Sequence, residues 1–254
     1  MRIDGRKFNE LRPLKITRSY LKNPEGSALI ELGGTKVICT ASLEDKVPQF
    51  LRGSGQGWVT AEYAMLPRST TVRSQRERNS ANSRSLEIQR LIGRTLRAVT
   101  DLKRLGERTI WLDCDVIEAD GGTRTAAISG AFVALAEASL LLKKQDLITF
   151  FPLSSFLAAV SVGLLAGKPV LDLAYEEDSA AGVDMNVVMT ADGKLVEVQG
   201  AAEDQPFSRD QLDQLLDLAT AGITEITVCQ ERVLGEEISR LIAEAGAIKD
   251  NESR

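Results

Sequence analysis

The sequence predicts an α+β fold of largely antiparallel or mixed sheets with packed helices. Three observations carry this. Short turn signals separate paired strand-like runs, at Gly33-Gly34, around Ala166-Gly-Lys168 and at Ala191-Asp-Gly-Lys194. Apolar stripes at helical spacing lie between and after those pairs. The order is therefore strands, helix, strand, helix, then strands and helices again, with hairpins dominant. No Pro/Gly/Ser-rich linker divides the chain and no short repeat is evident, so residues 1–248 are expected to form a single domain, with 249–254 a frayed tail.

Taken in order, 14–20 reads as a first strand, and 27–32 and 35–43 flank Gly33-Gly34 as a hairpin. The stretch 47–63 contains Arg52-Gly-Ser-Gly-Gln-Gly-Trp58. It lacks the G-x-G-x-x-G spacing and opens no helix, so it is not a dinucleotide site; no Walker A sequence occurs either. Residues 67–83 are rich in Arg, Ser and Asn without apolar periodicity, an expected exposed loop. Apolar residues at 88, 91, 92, 96 and 99 predict a helix over 86–102, with Arg84 just before it. Arg90, Arg94 and Arg97 share one face of that helix, as a solvated face, as subunit contacts or as part of a basic surface. The run 109–117 alternates apolar residues with Asp113 and Asp115, a strand, and the Ala- and Leu-rich 126–142 reads as a buried helix. A strand pair is expected at 156–165 and 169–173, and another at 183–190 and 195–198. Ser208 caps a helix with Gln211 completing a capping box; Leu212, Leu215, Leu216 and Ala219 form its stripe, and Gly222 is placed to end it. The β-branched 223–228 fits strand or helix, and 234–247 reads as a last helix.

Composition narrows the chemistry. The 254 residues suffice for a real core. The N-terminus has no signal-peptide core, and no apolar stretch is expected to reach the length of a membrane span. Three scattered cysteines, Cys39, Cys114 and Cys229, suggest reduced thiols in a cytoplasmic protein, not a disulfide framework or zinc site. There are 0 histidines, which removes Ser-His and Cys-His nucleophiles, His-metal sites and His proton shuttles. Chemistry must then run on Asp, Glu, Lys, Arg, Tyr or a bound metal. The net charge of −5 hides an asymmetry. Residues 68–97 hold arginines 68, 73, 76, 78, 84, 90, 94 and 97 against Glu77 and Glu87, a window of +6 that leaves −11 elsewhere. Such a patch on an acidic protein is the footprint of a polyanion partner.

Two constellations stand out. In Glu118-Ala-Asp-Gly-Gly-Thr-Arg-Thr-Ala-Ala127, Gly121-Gly122 reads as a strand-to-helix turn, with Thr123 and Arg124 opening the helix. A helix start offers unpaired N–H groups and a positive dipole end, two glycines permit close approach, and Thr123 and Arg124 add phosphate-suited donors. The same residues also fit a tight turn with an exposed arginine. In Tyr175-Glu-Glu-Asp-Ser-Ala-Ala-Gly-Val-Asp184-Met-Asn, Asp178 lies in a polar turn, Asp184 opens an apolar strand with Asn186 facing the same way, and Asp172 ends the preceding strand. Two or three such carboxylates can converge on Mg²⁺. A solvated acidic turn accounts for Asp178 alone, whereas a carboxylate within the strand of Asp184 is costly unless paired or metal-bound.

Together these pieces resemble the ribonuclease PH family of phosphorolytic exoribonucleases, which trim transfer RNA 3′ ends. The matching residues are Met1-Arg-Ile-Asp-Gly-Arg6, Phe50-Leu-Arg-Gly-Ser-Gly-Gln-Gly-Trp-Val-Thr-Ala-Glu-Tyr63, Glu87-Ile-Gln-Arg-Leu-Ile-Gly-Arg94, Asp113-Cys-Asp115, Ala119-Asp-Gly-Gly-Thr-Arg-Thr125, Glu177-Asp-Ser-Ala-Ala181 and Val183-Asp-Met-Asn-Val-Val-Met-Thr190. The resemblance runs to about residue 230 and implies a fold shared with polynucleotide phosphorylase and the exosome ring, and a homohexameric ring built as a trimer of dimers. It implies inorganic phosphate as co-substrate, held by Arg84 and by Gly122, Thr123 and Arg124. It implies Asp178 and Asp184 as catalytic and Mg²⁺-binding residues, and Arg68, Arg73 and Arg76 as the hold on RNA. The family usually reads Gly-Arg-Thr around the first phosphate arginine; here it is Ser83-Arg84-Ser85, so the guanidinium is kept and the turn before it is expected to differ. Phosphate as its own anionic nucleophile explains a site without histidine. A non-catalytic RNA-binding ring subunit, or a phosphorylase of small nucleosides, are the competing functions; the first would be favoured by loss of Arg124 or Asp184, and the second does not need the long arginine loop.

Overall fold

The computed structural model describes residues 2–76, 82–203 and 205–252, with side chains placed through residue 248. Arg78 and the end of the arginine-rich loop lie outside the described residues, as do 253–254 of the expected tail.

A first sheet starts from the hairpin at Gly33. β1 (Leu14–Arg18) pairs antiparallel with β2 (Gly26–Leu32), and β2 with β3 (Thr35–Glu44). β4 (Trp58–Met65) is carried by α1 (Ser83–Ala98) and the single turn α2 (Leu102–Leu105) across to β5 (Thr109–Glu118), which therefore lies parallel to it. Such a crossover is what a helix between two parallel strands requires. β5 also pairs antiparallel with β3, giving the order β1-β2-β3-β5-β4. The period-2 pattern decides the faces: Val37, Cys39 and Ala41 of β3 and Ile110, Leu112, Cys114 and Val116 of β5 are buried.

α3 (Thr123–Lys144) packs on β2, β3 and β5 of this sheet and on β6 (Leu157–Leu165) of the next. Covered on both sides, it is apolar all round. By length and composition it could cross a membrane, against the expectation from sequence, but 83% of its apolar window is buried inside the protein, as in a core helix. The second sheet is antiparallel, in the order β7-β6-β8-β9, where β7 is Lys168–Leu171, β8 is Val183–Thr190 and β9 is Leu195–Ala202. Between β7 and β8 lies a single turn, α4 (Tyr175–Asp178). The last element, α5 (Arg209–Glu252), packs on β1, β6, β7 and β8.

Several boundaries differ from the sequence reading. Gly222 does not end a helix: a Cβ there would sit 2.7 Å from Leu171 Cδ1, so the glycine serves close packing against β7. The β-branched 223–228 is helical, with Ile223 and Ile226 buried against the second sheet. The break falls at Gly235, where φ is 81°. The helix backbone then continues to Glu252, past residue 248. The capping box is present: Ser208 N donates to Gln211 Oε1 at 2.8 Å and Gln211 N to Ser208 Oγ at 3.2 Å. α1 starts at Ser83, earlier than its apolar stripe, because the side chain of Asn82 accepts from Ser85 N at 2.8 Å and caps it.

On the open face of the first sheet Glu62 lies in register with Asp113, and Asp115 follows on the same face. Burial, then the charges of Glu62 and Asp115, push the Asp113 carboxyl up. A raised carboxyl pKa contributes stability that is complete below the unfolded value and is lost as pH rises through the folded one, so ionised Asp113 is unfavourable at neutral pH. Asp113→Asn is expected to stabilise the protein at pH 7 by roughly half a kcal/mol after discounting for solvent screening. The gain should vanish as pH falls toward about 4. Thermal unfolding at both pH values checks this; a lower melting temperature at pH 7 contradicts it.

Candidate active site

The turn after β5 is held from below. Asp120 N donates to Thr35 Oγ1 at 2.9 Å, and Thr35 Oγ1 donates to Gly121 O at 2.6 Å. Gly121 and Gly122 both take left-handed φ, 74° and 64°. A Cβ on Gly121 would lie 2.5 Å from Leu173 O, so this turn rests directly on the backbone leading to α4. No side chain caps α3. Its first N–H groups and positive dipole end are therefore left for an anion. Thr123 Oγ1 accepts from Tyr63 OH at 2.8 Å, which leaves the threonine proton to donate outward. Burial pushes the Tyr63 phenol up, so it stays a donor through neutral pH.

Arg124 is aimed by two partners on different elements. Its Nη1 donates to Glu87 Oε1 at 3.2 Å and to Gln199 Oε1 at 2.9 Å, and Gln199 Nε2 donates to the same Glu87 oxygen at 3.1 Å. All described bonds of this guanidinium use Nη1, leaving its Nε and Nη2 edge for a ligand. Arg84 stands exposed in the first turn of α1. Both arginines act electrostatically on Tyr63 and on Asp178, so the helix starts of α1 and α3 and the acidic residue share one site.

Asp178 ends α4, and Asp184 stands on β8; both line a cleft of about 460 Å³ together with Glu203. Desolvation first and the Asp184 charge second push the Asp178 carboxyl up, while Arg84, Arg124 and Arg12 pull it down. Asp172, offered by the sequence as a third carboxylate, is not part of the pair. It is fully buried and taken by Arg12, whose Nε donates to Oδ2 at 2.9 Å and Nη2 to Oδ1 at 2.7 Å. Among the described residues no group of three or more His, Cys, Asp or Glu side chains forms a metal cage. Asp178 and Asp184 are thus a two-carboxylate site, with Asn186 on the same face of β8.

Arg68, Arg73 and Arg76 are exposed. Their loop is tied to the Gly121-Gly122 turn by Ala119 N, which donates to Ser69 O at 2.8 Å. Arg76 also lowers the otherwise raised carboxyl of Asp115, so the basic loop borders the acidic face of β5. Arg94 and Arg97 are engaged within the chain: Arg94 with Glu197 at 2.6 Å, Arg97 with Val59 O at 2.7 Å and over the Trp58 ring at 4.2 Å. Sequence reasoning gave no role to Tyr63, Glu87 or Gln199. Tyr63 and Glu87 lie within the matching motifs, and Gln199 lies one residue past the strand expected at 195–198, whereas β9 runs to Ala202.

Two family models match the chain: the 3′ exoribonuclease family, domain 1, over residues 10–140 and domain 2 over residues 155–222. The chain belongs to this exoribonuclease family. Domain 1 of the family contributes Arg84 and the Gly122–Arg124 turn, and domain 2 contributes Asp178 and Asp184, so the site forms where the two segments meet. A ribonuclease PH from Moorella thermoacetica is 59% identical over 243 residues, covering 95% of this chain and 97% of that protein. Among solved structures, the Archaeoglobus fulgidus exosome with RNA bound to the active site aligns at TM-score 0.76 and 22% identity, over 89% of this chain and 91% of that one. Rice Rrp46 aligns at 0.75 and 20% identity, over 92% and 100%. At these identities the likeness is one of fold.

Proposed function

We infer that the chain is a phosphate-dependent 3′-to-5′ exoribonuclease that trims transfer RNA precursors. The observation that carries this is the convergence of an uncapped helix start, two arginines and a two-carboxylate cleft on one site. Inorganic phosphate, held by the α3 N–H groups, Thr123, Arg124 and Arg84, brings its own charge and needs no histidine to activate it. The cations make tolerable the approach of one anion to another, the RNA phosphodiester. A phosphate oxygen bonds to the last phosphorus, the bond to the 3′ oxygen breaks, and that oxygen takes up a proton. Asp178 and Asp184, which line the cleft together, are the groups placed to deliver that proton, directly or through a water they hold. The products are a nucleoside diphosphate and RNA one residue shorter, and the reverse reaction extends RNA.

The acidic pair suits Mg²⁺, because desolvation first and the Asp184 charge second oppose an ionised Asp178, and a cation taking its remaining ligands from water offsets both. Asp178 and Asp184 would hold the Mg²⁺, which would supply positive charge to offset that of the reacting phosphates. Arg68, Arg73 and Arg76 lead the RNA in. We place the protein in the cytoplasm as a homohexameric ring, each subunit acting as one unit because α3 is shared by both sheets.

The test is a transfer RNA with a 3′ tail, incubated with and without phosphate: nucleoside diphosphates are expected only with phosphate, and nucleoside monophosphates or no product overturn the reading. In the same assay, changing Arg68, Arg73 and Arg76 together to Ala should flatten the salt dependence of RNA binding by up to about two units, at roughly 0.7 per phosphate contact. The phosphate KM should hold. An unchanged salt slope with a broken oligomer would make these arginines subunit contacts.

A further inference from the structure

The two halves of the site are held by a buried ionic clasp that the phosphorolysis reading does not use. Arg2 and Glu177 are only 5% and 4% exposed. Arg2 grips the carboxylate with two bonds, Nε to Oε1 at 2.7 Å and Nη2 to Oε2 at 2.6 Å, and also donates to Leu171 O and Asp172 O, both at 2.7 Å. Glu177 Oε2 in turn accepts from Ala174 N at 3.0 Å, at the start of α4. α4 has 4 residues, and a helix so short does not hold its own shape. Asp178 therefore takes its place from the anchor beside it. Arg12 makes the second half of the clasp. Besides its three bonds to the Asp172 carboxylate, from the backbone N, Nε and Nη2, it donates from Nη1 to Asp120 O and from Nη2 to Gly121 O at 3.4 Å. One guanidinium thus bridges the Asp172 carboxylate, on the segment entering α4, and the phosphate turn, at the point where Gly121 rests on Leu173.

We propose that Arg12 and Glu177 are positioning residues that set the phosphate turn and Asp178 at working distance from each other. Buried ion pairs are a poor route to stability, since apolar replacements often do as well, but their bidentate geometry defines distances that apolar packing leaves loose. An ångström of misplacement at a reacting centre is enough to slow a reaction on the order of a hundredfold. This inference rests on the assignment of Asp178 and of the Gly122–Arg124 turn to phosphorolysis.

The two ends of the clasp should report separately in steady-state kinetics of the full-length protein, with phosphate and a tailed RNA varied independently. Glu177→Gln keeps shape and one acceptor but loses the charge. It is expected to lower kcat about tenfold, with phosphate KM within about twofold of wild type. Arg12→Lys keeps the charge but loses the fork that reaches the turn, and is expected to raise phosphate KM about fivefold. A merely structural role moves neither constant per folded molecule. Rates are therefore referred to the folded fraction, and Arg2→Lys serves as the milder variant if Glu177→Gln does not fold. Wild-type kcat and KM per folded molecule in these variants overturn the positioning role. Wild-type protein run alongside separates the two claims: no phosphorolysis there overturns the functional reading and this inference with it, whereas normal phosphorolysis with unaltered variants overturns this inference alone.

Discussion

Arg124→Ala is expected to abolish phosphate-dependent cleavage while RNA still binds. Arg124 opens α3 and is aimed by partners from other elements of the site, Glu87 on α1 and Gln199 on β9. Losing a charge-assisted hydrogen bond costs roughly 1.5–3 kcal/mol, or about ten- to 150-fold in rate. Two consequences add to that. The anion loses the cation carried by the first turn of α3, and Glu87, now without its arginine, places a negative charge beside it. The combined fall in kcat/KM for phosphate should be on the order of a thousandfold. Stability should change little, because the Glu87 side chain is 42% exposed and exposed pairs contribute little. The measurements are phosphate dependence of nucleoside diphosphate release, RNA affinity and melting temperature. Near-normal cleavage at low phosphate would remove Arg124 from the clamp.

Glu87 and Gln199 also show where the sequence stopped being informative. Local signals worked wherever one residue's chemistry sufficed: Gly121-Gly122 had to turn, Ser208 and Gln211 had to cap, and the alternation of β5 had to bury Cys114 and Val116. They failed where a residue's role depends on what lies against it. Gly222 has the look of a helix stop but is a packing glycine, because Leu171 comes within 2.7 Å of where a Cβ would be. Asp172 has the look of a third metal carboxylate but is held by Arg12, 160 residues away in sequence. Such pairings have no local pattern. The apolar run of 126–142 was legible as a buried helix, but only two sheets packed on opposite sides explain why it is apolar all round. Glycine turn, arginine loop and acidic pair are each visible as motifs; their convergence is implied only by the family resemblance, and the geometry is what joins them.

Asp184→Asn is expected to stop the chemistry in both directions while leaving RNA bound. Asp184 lies in β8 between Gly163 of β6 and Ala201 of β9, so its backbone is fixed by strands on both sides. Asn fills the same volume and preserves that pairing, and only the charge is lost. If the carboxylate serves the departing 3′ oxygen or a cation beside it, the loss should be on the order of a hundredfold or more, the usual worth of a positioned acid–base group. Cleavage by phosphate and extension from nucleoside diphosphates pass through one transition state and share one equilibrium constant, so kcat/KM in the two directions must fall by the same factor. Binding should not follow, because removing a negative charge near an RNA phosphate relieves repulsion. The neighbour should respond as well: Asp178 is raised in part by Asp184, so its carboxyl is expected to move back toward the ordinary range in the variant. A variant that extends RNA at the wild-type rate would make Asp184 a structural carboxylate and leave Asp178 to act alone. One that loses cleavage but keeps extension would contradict a single shared transition state, and with it the reversible phosphorolysis on which the reading of this site depends.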